Sequence, residues 1–326
     1  MQTSIQTLNQ AVSTQALLRE PHTALDAVDQ AIRAGQISAA LEDLFDDLSL
    51  RREEEPESWP DFARSCLSHP LRHALHQDPF TYRAFSKPRG YAGDAVMMDY
   101  IYGLGEADRA ATEATPLGRA IFSHMATRPS ARAVRYRREL LAQLIDRTAA
   151  QGGSRVFALA AGHLRETEMS HAVHSGAIEE YMAMDQDEAS LAVVDRDYAR
   201  LGVRAVPGSV RQILGRKVNP GQFDFVYAAG LFDYLGAPVA SALTGRLFEM
   251  TRPGGTMLIP NFAAGARDSG YMEAFMDWHL IYRTHADMEA LAAALPASEV
   301  ANIDIFDDAD DTITFLLVNK RSRSCW

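Results

Sequence analysis

The stretch Arg155-Val156-Phe157-Ala158-Leu159-Ala160-Ala161-Gly162-His163-Leu164-Arg165-Glu166 decides how this sequence is to be read. It begins as an apolar run of strand length over Arg155 to Ala160. A glycine follows where the chain must turn sharply, and a polar stretch then leads into a helix. Downstream the same alternation recurs. Glu180 to Met184, Val203 to Pro207, Phe223 to Ala229 and Thr256 to Phe262 are short apolar runs bounded by turn signals, with helical segments between most of them. Strands joined through helices are parallel and buried on both faces, which predicts an α/β fold. At the end, Val300 to Phe306 and Thr312 to Asn319, separated by the turn Asp307 to Asp311, read as a closing antiparallel pair.

Upstream the periodicity changes. Apolar residues recur at three and four, as in Leu17, Leu18, Leu25, Val28 and Ile32, then Ala39, Leu41, Leu44 and Phe45, so this half reads as helical. A long amphipathic helix from about Ser130 to Ala150 ends it before Gly152 and Gly153. The division expected is therefore 1–150, an N-terminal helical cap or lid region, and 151–326, the α/β domain. The first ~80 residues suit a cap over a site and a homodimer contact alike, since amphipathic helices serve both.

With 326 residues, 47% of them hydrophobic, the chain has ample material for a core. Its formal charge of −11 repels polyphosphate except where basic residues cluster, so nucleic acid is an unfavourable substrate and a small molecule the expected one. Cys66 and Cys325 are the two cysteines, too few for a disulfide framework or a four-ligand zinc site; no metal is expected. The start Met-Gln-Thr-Ser-Ile-Gln lacks a basic-then-apolar signal pattern, and no run approaches the ~18 apolar residues that span a bilayer. The expectation is a cytoplasmic protein with no membrane insertion.

Doubly wound sheets bind ligands outside the carboxyl ends of their strands. The loop after the first strand therefore offers Ala161, Gly162, His163 and Glu166 to a ligand, although any strand-to-helix turn can carry one glycine. The second strand ends in Asp185-Gln186-Asp187, where an acidic side chain can accept both hydroxyls of a ribose. Asp187 reads as the N-cap of the next helix, leaving Asp185 as the ribose candidate with Gln186 beside it. Ser209 and Val210, after Gly208, follow the third strand where an adenine edge would be met. The fourth runs into Ala229-Gly230-Leu231-Phe232-Asp233-Tyr234, whose glycine permits close approach and whose Asp233 and Tyr234 suit a cation. The alternative reading of Phe232 and Tyr234 is as core residues.

Several stretches together resemble the class I S-adenosylmethionine-dependent methyltransferases of the PhcB-like family, which serve extracellular-factor 3-hydroxypalmitic acid methyl ester biosynthesis. They are Lys87 to Asp94, Arg135 to Arg138, Ala161 to Glu166, Asp185 to Asp187, Ala229 to Leu235, Pro260-Asn261-Phe262 and Asp277 to Arg283, within roughly residues 80 to 320. The resemblance implies a Rossmann-like methyltransferase sheet with a helical cap, S-adenosylmethionine as cofactor, and a 3-hydroxy fatty acid carboxylate as acceptor. Where that family typically has Ala-Cys-Gly-Pro, this chain has Ala160-Ala161-Gly162-His163, which by the resemblance puts an imidazole beside the reaction centre. The same shape is similar to that of arginine N-methyltransferases and of enzymes that cyclise S-adenosylmethionine onto its own amine. N-methylation of an amino acid or guanidine, cyclisation to azetidine-2-carboxylate with release of methylthioadenosine, and a non-catalytic binding module all stay open.

At the reacting end, Phe85 to Tyr102 reads as a lid carrying Tyr91 and Asp94, or as an ordinary surface loop. Tyr271 to Arg283 reads as a helix on which Trp278 and Tyr282 share one face and His279 and Arg283 another. Tyr91, Asp94, Asp233, His279, Tyr282 and Arg283 are the candidate catalytic residues: Arg283 to orient a carboxylate acceptor, Asp94 or Asp233 to serve an amine. Among Arg132, Arg135, Arg137 and Arg138, Arg135 is the expected anchor for the methionine carboxylate.

Overall fold

The structure is a computed structural model and describes residues 21–322. The readings at Leu17, Leu18, Cys325 and the first six residues lie outside the described residues.

Helices α1 (Pro21–Arg33), α2 (Ile37–Glu54), α3 (Trp59–Cys66), α4 (Leu71–Leu75), α5 (Pro79–Ser86), α6 (Ala95–Tyr102), α7 (Glu106–Glu113), α8 (Pro116–Met125) and α9 (Pro129–Ala150) come first. Then follow β1 (Arg155–Leu159), α10 (His171–His174), β2 (Glu180–Asp185), α11 (Glu188–Tyr198), β3 (Val203–Pro207), α12 (Val210–Leu214) and β4 (Phe223–Tyr227). The chain closes with α13 (Ala237–Met250), β5 (Thr251–Phe262), α14 (Ser269–Met276), α15 (His285–Ala293), β6 (Val300–Asp307) and β7 (Ile313–Lys320). No helix among the described residues is long and apolar enough to cross a membrane.

The described residues fall into two compact units: 21–128 with Arg267–His279, and Pro129–Ala266 with 280–322. Helix α9 belongs with the sheet. In the helical unit, α14 lies among α2, α3 and α5. Tyr271 stacks on Phe45 with ring centres 4.5 Å apart and shares a hydrogen bond with Thr81 at 3.0 Å. Arg128 lies over the other side of this cluster. Its guanidinium sits 3.9 Å from the Phe45 ring centre and donates to Asp268 at 2.8 Å and Glu42 at 2.6 Å. Glu273 joins α14 to α2 and α3 by accepting from Arg52 Nε and Trp59 Nε1.

The second unit is built on a seven-stranded sheet of order β3-β2-β1-β4-β5-β7-β6. Strands β1 to β5 are parallel and β7 inserts antiparallel between β5 and β6, so the α/β reading and the closing pair hold. Phe157, Leu159, Met182, Met184, Val226 and Met257 pack on one face against Leu243 and Leu247 of α13 and Leu291 of α15. Each such side chain contributes ~1.5–3 kcal/mol when fully buried. The order reverses between β1 and β4, and ligands of such sheets bind where it does, at the strands' carboxyl ends.

Two expectations need correction. The turn signal that bounds the Thr256 to Phe262 run on its N-terminal side, Arg252-Pro253-Gly254-Gly255, is a bulge inside β5 and not a turn before it: the pairing steps from Phe223 with Thr251 to Phe225 with Thr256. Gly255 is required there, because a Cβ would lie 2.7 Å from Asp224 O. Nor is Tyr271 to Arg283 one helix. Helix α14 stops at Met276, Asp277 turns left-handed at φ 47°, and Trp278 N returns to Met272 O at 2.9 Å. Trp278 and Tyr282 therefore share no helical face, and neither do His279 and Arg283.

Candidate functional site

The loop leaving β1 alternates left-handed residues: Ala160, Gly162 and Leu164 have φ of 53°, 55° and 52°. For alanine and leucine this costs ~1–2 kcal/mol each, so the surroundings must hold the turn. Ala161 N donates to Met184 O at 3.2 Å and Leu164 N to Ala161 O at 3.0 Å. Gly162 N donates to Asp185 Oδ2 at 2.8 Å, and the other carboxylate oxygen accepts from Asp187 N at 2.9 Å. Asp185 thus stands at the end of β2, almost buried, as a carboxylate oriented by two main-chain amides. Asp187 caps α11 through Ala189 N, so of the two acids Asp187 holds the helix start and Asp185 the loop after β1. Gly208 N donates to Asp185 O at 2.9 Å, fixing the start of the β3 loop.

Behind this loop lies a buried chain of polar groups. The Tyr181 and Tyr227 hydroxyls hydrogen-bond to each other, and Tyr227 donates to Glu166. Small side chains at Ala158 and Ala183, level with Tyr227 on β1 and β2, leave room for the rings. Burial pushes the Glu166 carboxyl and both tyrosines up in pKa, although Arg137 and Arg138 oppose the shift at Glu166. Arg138 Nε donates to Arg165 O at 2.9 Å, and Arg165 donates to Asp197 and to Tyr198, so α9 and the end of α11 both brace the loop.

At the end of β4, Gly230 faces α9: a Cβ there would lie 3.8 Å from both terminal nitrogens of Arg137. Phe232 is core, fully buried, whereas Tyr234 is 40% exposed. Asp233 is buried, its Oδ1 accepting from Phe262 N at 2.7 Å. Burial raises its carboxyl to about 6, against the pull of the Phe262 amide, Arg137 and Arg283.

The structure gathers Ala161, Gly162, His163, Glu166, Asp185, Gln186, Ser209, Val210, Ala229, Gly230, Asp233 and Tyr234 into loops at neighbouring strand ends of one unit. Glu166 turns inward to Tyr227. Ser209 uses both its amide and its hydroxyl in the capping box with Gln212 that starts α12. Arg135 is partly buried, with its pKa lowered by that burial and by Arg132. Its neighbour Arg137 is only 5% exposed and is the arginine that reaches the β4 loop. Sequence reading passed it over, yet it sits three or four positions from Val134, Leu140 and Leu141, on the helix's apolar stripe, and that was the available signal. Arg283, offered as an acceptor anchor, directs its guanidinium to the carbonyls of Phe232 and Leu235 and to Asn261. Tyr282 precedes it in the same segment.

Tyr91, Asp94 and His279 belong to the helical unit. Asp94, fully buried, caps α6 through Met97 N at 2.7 Å and takes a two-pronged ion pair from Arg83 at 3.1 and 2.7 Å. His279 has its side chain 63% exposed and meets Asp277 at 3.2 Å, while Asp277 also pairs with Lys87. Among the described residues no three His, Cys, Asp or Glu side chains converge as a metal site.

The strand-end loops carry a carboxylate at Asp185 held by two main-chain amides, the glycines Gly162 and Gly230, and the Arg137 guanidinium beside Gly230, group types that could hold a nucleoside with an anionic tail. No family model matches the chain, and no curated protein does. Among solved structures it is similar to a possible exported protein from Bordetella parapertussis, 14% identical with a TM-score of 0.52, over 80% of this chain and 97% of that one. It is also similar to the S-adenosylmethionine-dependent methyltransferase SibL in its apo form, 16% identical with a TM-score of 0.49, over 96% of this chain and 100% of that one. The N-methyltransferase NodS from Bradyrhizobium japonicum is 13% identical with a TM-score of 0.41, over 58% of this chain and 98% of that one. At these identities the likeness is one of fold alone, a mostly parallel seven-stranded α/β sheet with antiparallel closing strands and a helical N-terminal region.

Proposed function

We propose that this protein is an S-adenosylmethionine-dependent methyltransferase acting on a small molecule. The observation that carries the reading is the Asp185 carboxylate at the end of β2, laid at 2.8 Å against Gly162 N of the loop after β1, the strand at which the order reverses. Bound S-adenosylmethionine supplies an electrophilic methyl group on a sulfonium cation. Asp185 accepts the ribose hydroxyls, Gly230 lets the ligand approach the backbone, and Arg137 binds the amino acid carboxylate. Tyr234 and Asp233 offer a ring and a carboxyl to the cation. The remaining requirement is alignment of the acceptor and exclusion of water.

For the acceptor, the resemblance supports a 3-hydroxy fatty acid carboxylate, which needs no base. A second reading is favoured by Asp233: a buried carboxyl shifted to about 6 holds or releases a proton near neutral pH, as an amine nucleophile demands. That reading covers N-methylation and cyclisation of the cofactor.

Incubation of the purified protein with S-adenosylmethionine alone, with mass spectrometry of the adenosine products, separates these. Methylthioadenosine formed catalytically, above the no-enzyme background, replaces methyl transfer by cyclisation. Binding without turnover keeps methyl transfer and directs the search to acceptors. Absence of binding by calorimetry leaves a non-catalytic module.

A further inference from the structure

The turn after β4 is held by side chains far along the sequence. Arg283 Nη1 donates to Phe232 O at 2.7 Å, 51 residues away. The same guanidinium donates to Leu235 O and to Asn261 Oδ1. Asn261 Nδ2 in turn donates to Ile281 O at 2.9 Å and Phe262 O at 2.8 Å. Asp233 closes the ring, its Oδ1 accepting from Phe262 N and its main-chain oxygen from Ile281 N, both at 2.7 Å. Arg283 N to Phe262 O and Ala264 N to Arg283 O stitch the 280–284 segment to the end of β5. Asn261, Asp233 and Arg283 are all buried.

The short helical turn Phe232–Tyr234 is closed by Leu235 N donating to Phe232 O at 3.0 Å, and the carbonyl of the capping residue Leu235 follows it. A buried cation across Phe232 O and Leu235 O adds charge-assisted bonds to that closure. The planar fork of arginine reaches three acceptors at once; a compact ammonium does not. The Asp233 carboxyl is thereby held in one place just after β4, against Phe262 N, where the charges of Arg137 of α9 and of Arg283 act on it.

We propose that Asn261 and Arg283 are positioning residues that fix the 232–234 turn so that Asp233 confers preference for a cationic sulfonium ligand over its neutral thioether counterpart. This rests on the S-adenosylmethionine reading above.

The test is calorimetric binding of S-adenosylmethionine and of S-adenosylhomocysteine at pH 8. The proteins compared are wild type, Asn261→Ala and Arg283→Lys, with Asp233→Asn as reference. Near-UV circular dichroism gates each variant for folding, and the lysine variant retains the charge if the alanine variant does not fold. Loss of positioning lowers the preference for the sulfonium ligand by about fivefold, toward the Asp233→Asn value, while S-adenosylhomocysteine affinity stays within about threefold. A role in stability alone weakens both ligands equally, so an unchanged ratio in the folded variants overturns the proposal. Wild-type protein that binds neither ligand overturns the cofactor reading itself, a result visible before any variant is made.

Discussion

Replacing Asp185 by asparagine tests the core of the site with no change of shape. The aspartate accepts from Gly162 N at 2.8 Å and from Asp187 N at 2.9 Å, one amide on each oxygen. Asparagine in the same rotamer offers one oxygen and one NH2, so it keeps one of these bonds and points a donor at the other amide. Hydrogen bonds to charged groups contribute ~1.5–3 kcal/mol each, so the sheet unit should lose about 2 kcal/mol. For a unit of this size that lowers the melting temperature by about 4–8 °C. Ligand binding suffers separately, because the ribose hydroxyls lose a charged acceptor: a further ~1.5–3 kcal/mol raises the Kd for S-adenosylmethionine by about 10- to 100-fold. Differential scanning fluorimetry measures the first effect and calorimetry at 25 °C, well below melting, the second. A folded Asp185→Asn protein that binds S-adenosylmethionine within about twofold of wild type would refute the assignment of this carboxylate to the ribose, since ~0.4 kcal/mol cannot accommodate a lost charged hydrogen bond.

Tyr227→Phe removes the hydroxyl between Tyr181 and Glu166 and leaves a buried carboxyl without its donor; urea unfolding should show a loss of about 1–3 kcal/mol, and no loss would mean the chain is not structural. Arg128→Ala strips buried Asp268 of its cation and uncovers the Phe45 ring; a cost of about 3–5 kcal/mol is expected, and an unchanged urea midpoint would contradict it. The carboxyls of Asp233 and Asp78 are raised from 3.8 to about 6 by burial, so the folded state binds more protons than the unfolded chain between those values. Their contribution to stability is full below about pH 4 and is lost as pH rises through about 6. Melting of Asp233→Asn minus that of wild type should therefore grow from pH 4.5 to 7.5 in favour of asparagine, and a flat difference would count against the buried carboxyl.

Much of this architecture was legible along the chain. Apolar runs such as Val156 to Leu159 show as strands because burial on both faces leaves no polar position to interrupt them. Asp185 and Asp187 could be told apart because a capping residue must stand at the helix start, one position before Glu188. Other features have no local signature. The bulge in β5 depends on Gly255 meeting Asp224 O across the sheet, and the end of α14 on a left-handed aspartate in place of the usual glycine. Arg137 and Arg135 differ only in which side of α9 meets the strand ends.

The sequence by itself determined the alternation of strand and helix, the closing antiparallel pair and the acidic residue at the second strand's end. All are consequences of period and of neighbours a few residues apart. Tertiary structure alone decided that Arg283 braces a turn 48 to 51 residues upstream, and that Asp94 is tied to Arg83 and a helix start. A charged side chain read along the chain carries no mark of its partner. Only the folded chain brings a carbonyl, a carboxylate or water within its reach, and that choice sets its role.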